Sequence, residues 1–310
     1  MIDKTALSIV NCSKTYENNF TALREVNLHV TEGSFLALLG PNGAGKSTII
    51  NCITNLIDGY SGTIEVFGHN LVTEQATAKQ LLGCVPQEIN LNRFETTYNT
   101  LMYNAGYHGI DKSAAHDLAI EILDKLKLTH KKDSPTGMLS GGMKRRCMIA
   151  RALMHKPPLL ILDEPSAGVD VETRQSTWQL LRSLNEEGMT IILTTHYLEE
   201  AEALCDDIAI LNEGQVIYEN KMATLLHTHQ QNALICSTAQ SLPSDFTLSS
   251  RHKKIGHNRF EVTLKSTDDL PSIMQEIQQQ SIVIKDMHSP SSKLESIYTE
   301  LLHKERHPDE

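Results

Sequence analysis

A glycine-rich segment early in the sequence ends in lysine, serine and threonine. It consists of Gly40, Pro41, Asn42, Gly43, Ala44, Gly45, Lys46, Ser47 and Thr48. This G-x-x-x-x-G-K-[ST] pattern lies between an apolar run and a helical pattern, which predicts a phosphate-binding loop. Glycines let successive backbone N–H groups converge on phosphate oxygens, and the N-terminus of the following helix favours anions. We therefore expect Lys46 to reach the β- and γ-phosphates of a nucleotide and Ser47 to ligate Mg²⁺.

Two adjacent carboxylates end another apolar run later in the chain. Asp163 and Glu164 directly follow the leucine- and isoleucine-rich residues 159–162. Neighbouring acids repel one another unless a cation or a function compensates for the repulsion. Downstream of a phosphate-binding loop, the pattern predicts that Asp163 holds Mg²⁺ through its water shell. Glu164 is then placed to polarise an attacking water molecule.

A second candidate anion site lies between these two motifs. Ser140, Gly141 and Gly142 open a predicted helix, and a helix N-terminus attracts anions. On its own this segment also fits a simple serine N-cap. Because one nucleotide needs only one phosphate cradle, we expect the second cradle to serve a nucleotide bound to another copy of the chain.

These motifs lie among alternating strand-like and helix-like segments. Buried apolar runs predict strands at residues 34–39, 159–163, 190–194 and 207–211. Helical patterns are found at residues 46–55, 114–127, 141–154, 171–187 and 197–205. The alternation indicates an α/β domain with a mostly parallel sheet. Shorter strands with polar interruptions, at residues 6–10, 22–30 and 62–67, predict a separate antiparallel sheet.

The chain is predicted to contain two domains. A nucleotide-binding domain covers residues 1–220, and a predominantly helical insert occupies about residues 88–138 within it. After a polar stretch at residues 230–250, strand-like patterns at 259–265 and 282–286 alternate with helical patterns at 268–279 and 291–302. Ser289 and Ser291 are candidate caps for the last helix. Residues 221–310 are therefore predicted to form a small α+β accessory module.

Composition and charge exclude several classes of function. The net charge of -10 lacks the basic excess that binding to a phosphate backbone needs, so no nucleic-acid partner is expected. The apolar runs are far shorter than the ~20 residues that span a bilayer, and the first residues lack the layout of a signal peptide. We therefore expect a cytoplasmic protein without direct membrane insertion. The six cysteines stand singly, which fits a reducing compartment.

Taken together, the motifs resemble those of the nucleotide-binding subunit of an ABC transporter. The resemblance covers residues 5–220: residues 40–47 match the Walker A motif, 159–163 the Walker B motif and 139–143 the signature motif. It implies the fold of a P-loop ABC-type ATPase, with a mostly parallel sheet, an antiparallel β subdomain and a helical insert. Residues 139–170 and 194–204 look most like the ATPase subunits of ABC-2-type exporters.

The resemblance also implies roles for individual residues. Glu164 matches the catalytic glutamate, and Gln87 matches the Q-loop glutamine that senses Mg²⁺ and the γ-phosphate. His196 matches the switch histidine, and Asp170 matches the acid of the D-loop, which acts in trans with the signature motif. Tyr16 falls where the family places an aromatic ring that stacks on adenine, although a packing role fits this tyrosine as well.

The partners and cofactors follow from the same resemblance. ATP and Mg²⁺ are the expected ligands, and two copies of the chain are expected to form a head-to-tail homodimer. A separate ABC-2-type integral membrane permease is the expected partner, so the protein is expected on the inner face of the plasma membrane, held there by the permease. The signature motif departs from the family at one position, because Met143 stands where glutamine is usual.

Other functions agree less well with the sequence. A non-transport ABC-type ATPase that clamps nucleic acid or a ribosome usually has two ATPase domains or long coiled-coil inserts, and this chain shows one such domain and no heptad run. The sequence argues against a protein that binds ATP without hydrolysing it, since it contains Lys46, Asp163, Glu164 and His196. A GTPase is disfavoured because the sequence contains no N-K-x-D motif for guanine.

Overall fold

The computed structural model describes residues 4–228, 232–243, 246–249, 252–264, 269–280, 282–288 and 293–306. Contacts divide the chain into two units, the first ending at Met222 and the second beginning at Ala223. The strands are β1 (Thr5–Thr15), β2 (Thr21–Thr31), β3 (Phe35–Leu39), β4 (Ser61–Val66), β5 (His69–Asn70), β6 (Leu82–Val85), β7 (Leu159–Asp163), β8 (Thr190–Thr194), β9 (Asp207–Asn212), β10 (Gln215–Lys221), β11 (Asn232–Thr238), β12 (His252–Gly256), β13 (Arg259–Leu264) and β14 (Ile284–His288). The α-helices are α1 (Lys46–Ile53), α2 (Gln75–Gln80), α3 (Thr97–Tyr107), α4 (Lys112–Lys125), α5 (Gly141–Leu153), α6 (Val171–Glu186), α7 (Leu198–Leu204), α8 (Met222–Thr228), α9 (Leu270–Gln279) and α10 (Lys293–Arg306).

A six-stranded sheet forms the centre of the first unit, in the order β10-β9-β3-β8-β7-β6. Its neighbours pair in parallel, except that β10 is antiparallel to β9. Strands β3 and β8 are buried along their whole length, and β7 is buried up to its final residue, Asp163. Such continuous apolar runs are typical of strands covered on both faces. The predicted α/β fold with a mostly parallel sheet is therefore confirmed.

A second, antiparallel sheet with the order β2-β1-β4-β5 shares the apolar core of the first unit. Its strands β1 and β2 are longer than the sequence predicts, with 11 residues each. The excess has a physical cause: the register of β1 shifts between Ile9 and Cys12, and this irregularity interrupts the alternation of apolar and polar residues. The antiparallel sheet itself is as predicted.

Helices α3 and α4 make up the insert and pack against one another and against α5. Each begins at a side-chain cap: the Thr96 hydroxyl accepts a hydrogen bond from the Asn99 amide, and the Asp111 carboxylate accepts one from the Ser113 amide. Such caps satisfy N–H groups that have no partner inside the helix. The two ends of the insert are joined by a bridge between Thr96 and Pro135.

The second unit contains an antiparallel sheet in the order β12-β13-β11-β14. Its core consists of Cys236, Phe246, Phe260, Val262, Leu264, Ile273, Ile277 and Ile282. The sequence prediction missed β11, because a stretch that is polar on average contains this central strand, which pairs with β13 and β14. The candidate caps Ser289 and Ser291 lie outside the described residues. Among the described residues, no helix is both long and apolar enough to cross a bilayer.

Replacing Phe260 with alanine is expected to destabilise the second unit by about 3–5 kcal/mol, since the ring is fully buried and packs 4.8 Å from the Phe246 ring. Hydrogen exchange of peptides from residues 232–288 measures the loss. The matched control is Phe94→Ala, because 80% of Phe94 is exposed and its removal leaves no cavity. Equal protection of these peptides in wild type and Phe260→Ala would contradict the assignment of this core.

Candidate functional site

The glycine-rich segment forms the turn between β3 and α1. Gly45 caps α1 in a left-handed conformation, with φ 108°, and a Cβ atom there would lie 2.7 Å from the Ala22 carbonyl oxygen. Gly43 also has a left-handed φ, of 81°, and a Cβ atom there would meet no heavy atom within 4 Å. The absence of a side chain at Gly45 lets the turn approach β2, and its absence at Gly43 leaves the turn open to a ligand.

The Lys46 side chain folds over this turn. Its ammonium donates hydrogen bonds to the carbonyl oxygens of Gly40, at 2.6 Å, and Pro41, at 3.1 Å. Burial lowers the pKa of Lys46, and the negative charges of Glu164 and Asp163 partly oppose that effect. The ammonium and the two carboxylates therefore lie close enough to interact, although they come from different strand ends.

The two carboxylates are fixed by the neighbouring strand β8. The Thr194 hydroxyl donates a hydrogen bond to Asp163 Oδ1 at 2.5 Å. The Glu164 amide donates to the Thr194 hydroxyl at 3.1 Å and to the Thr194 carbonyl oxygen at 3.0 Å. Glu164 has a left-handed φ of 47°, a conformation that few residues other than glycine adopt. The chain thus turns sharply at Glu164, directly after the strand.

Three of the predicted residues meet at one atom, Glu164 Oε2. The Gln87 side-chain amide donates a hydrogen bond to it at 3.3 Å, and His196 Nδ1 lies 2.9 Å from it. The His196 ring packs on Tyr197 with 4.0 Å between centroids, and the Arg174 guanidinium lies 4.4 Å from the centre of the Tyr197 ring. A carboxylate held by two nitrogen groups beside a cavity can orient and polarise a water molecule.

A cavity of about 290 Å³ joins the glycine-rich turn to the carboxylates. Its lining consists of Phe20, Ala22, Asn42, Gly43, Gly45, Lys46, Ser47, Thr48, Gln87, Asp163 and Glu164. Gly40, Pro41 and Ala44 form the rest of the turn without lining the cavity, and His196 reaches it through its contact with Glu164. Backbone N–H groups, the Lys46 ammonium and the oxygen atoms of several side chains thus surround a space at the N-terminus of α1. The N–H groups and the ammonium suit a phosphate group.

Tyr16 lies beside this cavity rather than in its lining. Its hydroxyl is 3.3 Å from the Thr48 hydroxyl, and the Lys14 ammonium lies 5.5 Å from the centre of its ring. Tyr16 and Lys14 line an adjacent cavity of about 500 Å³. The aromatic ring that lines the 290 Å³ cavity is Phe20, which the sequence analysis did not single out.

The second candidate anion site lies elsewhere on the first unit. The Ser140 hydroxyl caps α5 by accepting a hydrogen bond from the Met143 amide, and Gly141 and Gly142 form the first turn. A Cβ atom at Gly142 would lie 2.3 Å from Thr173 Cγ2. Thr173 donates two hydrogen bonds, both 2.8 Å long, to the Asp170 carboxylate, and these bonds lower the pKa of Asp170.

The α5 N-terminus and Asp170 therefore share one surface, joined through Thr173. The 290 Å³ cavity of the same chain is lined by none of the residues Ser140, Gly141, Gly142 and Asp170. The residues predicted to act on one nucleotide thus fall into two groups on this chain: one around Lys46 and Glu164, and one around Ser140 and Asp170.

Thr194 and Arg145 also contact the site, and the sequence analysis assigned a role to neither. Thr194 ends a buried strand two residues before His196. A hydroxyl at that strand end was the feature of the sequence that could have identified it. Arg145 donates hydrogen bonds to the backbone carbonyls of Pro165, which follows Glu164, and of Pro86, which precedes Gln87. No sequence pattern marks it, because its partners come from segments about 20 and 60 residues away.

Comparisons with known proteins show which family the chain resembles. The family model described as ABC transporter matches residues 23–167. The chain is 43% identical over 211 residues to the linearmycin resistance ATP-binding protein of Bacillus subtilis, covering 68% of each protein. It is 42% identical over 199 residues to Nod factor export ATP-binding protein I of Burkholderia lata, covering 64% of this chain and 66% of that protein.

Solved structures show the same similarity. An ATP-binding subunit of an ABC transporter superposes with a TM-score of 0.66 at 29% identity, over 72% of this chain and 93% of that one. A dimeric ATP-binding cassette in a post-hydrolysis state, bound to ADP and Pi, gives a TM-score of 0.64 at 29% identity, over 70% of this chain and 98% of that one.

Replacing Thr194 with valine keeps the shape of the side chain but removes the donor to Asp163. Because hydrogen bonds to charged groups are the stronger ones, we expect a loss of about 1.5–3 kcal/mol in the free energy of unfolding. Urea titration of the full chain measures it. The control is Thr190→Val on the same strand, whose hydroxyl accepts a hydrogen bond from the Gly33 amide, with an expected loss of about 0.5–1.5 kcal/mol. A Thr194→Val loss no larger than that of the control would contradict the role given to this hydroxyl.

Proposed function

The chain belongs to the ATP-binding subunits of ABC transporters, which hydrolyse ATP, and from that premise we propose that it powers export through a separate ABC-2-type membrane permease. The observation that carries the proposal is the convergence of Lys46, Asp163, Gln87 and His196 around Glu164 beside one cavity. The relatives named for linearmycin resistance and Nod factor export support the choice of an exporter.

In this proposal the phosphates of ATP occupy the 290 Å³ cavity. Residues 40–48 bind them through backbone N–H groups at the start of α1, and Lys46 releases its two carbonyl partners to bind the β- and γ-phosphates. Ser47, Gln87 and Asp163 offer the hard oxygen ligands that Mg²⁺ prefers, and all three line the cavity. Bound there, Mg²⁺ would neutralise charge that develops on the phosphate oxygens.

Glu164 is the proposed catalytic residue. Its carboxylate would orient the attacking water and accept its proton as the water oxygen bonds to the γ-phosphorus and the bond to the ADP oxygen breaks. His196 and Gln87 both contact Glu164 Oε2 and so would hold the carboxylate toward the cavity. His196 is half exposed, so it can also reach the γ-phosphate side of a bound nucleotide.

We further propose that the complete site forms between two copies of the chain. Ser140, Gly141, Gly142 and Asp170 share a surface apart from the cavity of their own chain, so in a head-to-tail homodimer they would face the ATP held by the other copy. ATP would then join the two copies, and its hydrolysis would release them. The dimeric cassette among the similar solved structures supports this arrangement.

The helical insert is the proposed contact with the permease. The sequence leaves two explanations open for its aromatic residues, a docking surface or the core of the insert. Phe94, Tyr103 and Tyr107 are exposed, Tyr107 by 87%. Tyr98 instead shares a 2.7 Å hydrogen bond with His116 and is part of the insert's own packing. Exposed aromatic rings favour docking, which would hold the protein at the cytoplasmic face of the membrane.

The alternative, a mechanical clamp on nucleic acid or a ribosome, is not favoured. The longest helix in the described part of the chain, α6, has 16 residues, too few for a long coiled-coil arm. The net charge of -10 opposes binding to a phosphate backbone. The two sequence relatives described above are named for linearmycin resistance and for Nod factor export.

Replacing Glu164 with glutamine is expected to reduce the rate of ATP hydrolysis about a hundredfold or more, because the amide cannot accept the proton of the attacking water. Phosphate release with Mg-ATP measures the rate, and light scattering is expected to show a stable ATP-bound dimer of the variant. The control is Glu199→Gln, which makes the same change at an exposed position. Hydrolysis by Glu164→Gln at the wild-type rate would refute the proposed role.

Replacing Tyr16 with leucine is expected to weaken ATP binding about tenfold, since stacking of a base on an aromatic ring contributes ~1–3 kcal/mol. The matched control is Phe20→Leu, the other aromatic ring beside the glycine-rich turn, with an expected change below about threefold. Titration with a fluorescent ATP analogue measures both affinities. A larger loss in Phe20→Leu than in Tyr16→Leu would assign adenine stacking to Phe20 instead.

A further inference from the structure

A buried guanidinium lies directly behind the carboxylates of the site. Arg145 belongs to α5, is only 4% exposed, and donates four hydrogen bonds to backbone carbonyl oxygens. Its Nε bonds to Pro165 at 2.9 Å, and its Nη1 bonds to Pro86 at 2.6 Å. Its Nη2 bonds to Asp163 at 3.2 Å and also to Glu164.

The four carbonyls belong to the two backbone segments that hold the site. Pro86 immediately precedes Gln87, whereas Asp163, Glu164 and Pro165 are consecutive. The left-handed turn at Glu164 brings the carbonyls of its segment to the α5 side, while its side chain reaches Gln87 and His196. One side chain therefore spans the gap between the Gln87 segment and the Glu164 segment.

Arginine is suited to this position for a geometric reason. Its guanidinium is planar and carries five N–H donors in a fixed fork, so one group can serve several acceptors that point in different directions. Lysine has the same charge but only one nitrogen, on a flexible stem. Burial lowers the pKa of Arg145, and the negative charges of Asp163, Glu200 and Glu164 oppose that effect. Since the guanidinium is a far stronger base than an ammonium, the group stays charged in the interior.

We propose that Arg145 is a positioning residue for ATP hydrolysis: its guanidinium fixes the separation of Gln87 and Glu164 by holding the carbonyls of both backbone segments. The proposal rests on the proposed roles of Glu164 and Gln87. Because none of the four hydrogen bonds of Arg145 goes to the glycine-rich turn that binds the phosphates, its loss should lower the rate of the chemical step far more than it weakens the binding of ATP.

The test compares Arg145→Lys and Arg145→Gln with wild type in the full-length chain. The matched control is Arg146→Lys, the next residue of α5, whose guanidinium bonds instead to the Ser176 hydroxyl at 2.5 Å. For each protein, phosphate release gives kcat, a fluorescent ATP analogue gives Kd, and urea titration gives the folded fraction under assay conditions. Glu164→Gln is assayed in parallel.

Both Arg145 variants are expected to lower kcat by about tenfold to a hundredfold, because a small misplacement of reacting groups has an effect of that size on the rate. The Kd for ATP is expected to stay within about twofold of wild type. The Arg146→Lys control is expected to keep kcat within about twofold. A fall confined to Arg145→Gln would mean that the charge alone matters and would overturn the fork as the positioning device.

Two further outcomes would overturn the proposal. Unchanged kcat in both variants would show that the bonds do not position the site. A fall in kcat that only parallels the loss of folded protein would show a structural role. Wild-type activity in Glu164→Gln would refute the catalytic role proposed for Glu164, on which this inference rests, whereas an inactive Glu164→Gln beside fully active Arg145 variants would refute this inference alone.

Discussion

Opposite charges must meet at one edge of a parallel sheet for this site to exist. The Lys46 ammonium follows β3, whereas Asp163 and Glu164 end or follow β7, and β8 lies between these strands. Because all three strands run parallel, their carboxyl ends lie at the same edge, where the lysine and the acids interact. Side chains that are far apart in the sequence are thereby placed around one cavity.

Hydrogen bonds from neighbouring strands and helices hold these side chains in fixed positions. Register pairs Asp163 with Thr194 across β7 and β8, so that the threonine hydroxyl bonds to the carboxylate. Behind the same strand end, the Arg145 guanidinium bonds to the backbone carbonyls around the turn at Glu164. Buried polar groups of this kind are costly unless paired, so the pairing specifies one arrangement of the site.

Much of the fold and site was predictable from local sequence, and the exceptions have physical causes. The strand ending at Asp163 and the turn at Lys46 are marked by continuous apolar runs and by glycine spacing, which are local properties. The meeting of Gln87 and His196 at Glu164 Oε2 was implied only through family resemblance, because the three residues are joined by tertiary packing. Strand β11 was missed because its partners, rather than its own composition, make it a strand.

The central claim is that the nucleotide site is shared between two copies, and mixing two inactive variants tests it most directly. Lys46→Ala removes the ammonium from the cavity of its own chain, and Ser140→Tyr obstructs the α5 N-terminus offered to the other chain. A mixed dimer contains one site with both defects and one with neither. The account predicts that each variant alone releases no phosphate from ATP and that the mixture regains activity. A mixture as inactive as its components would contradict the shared site.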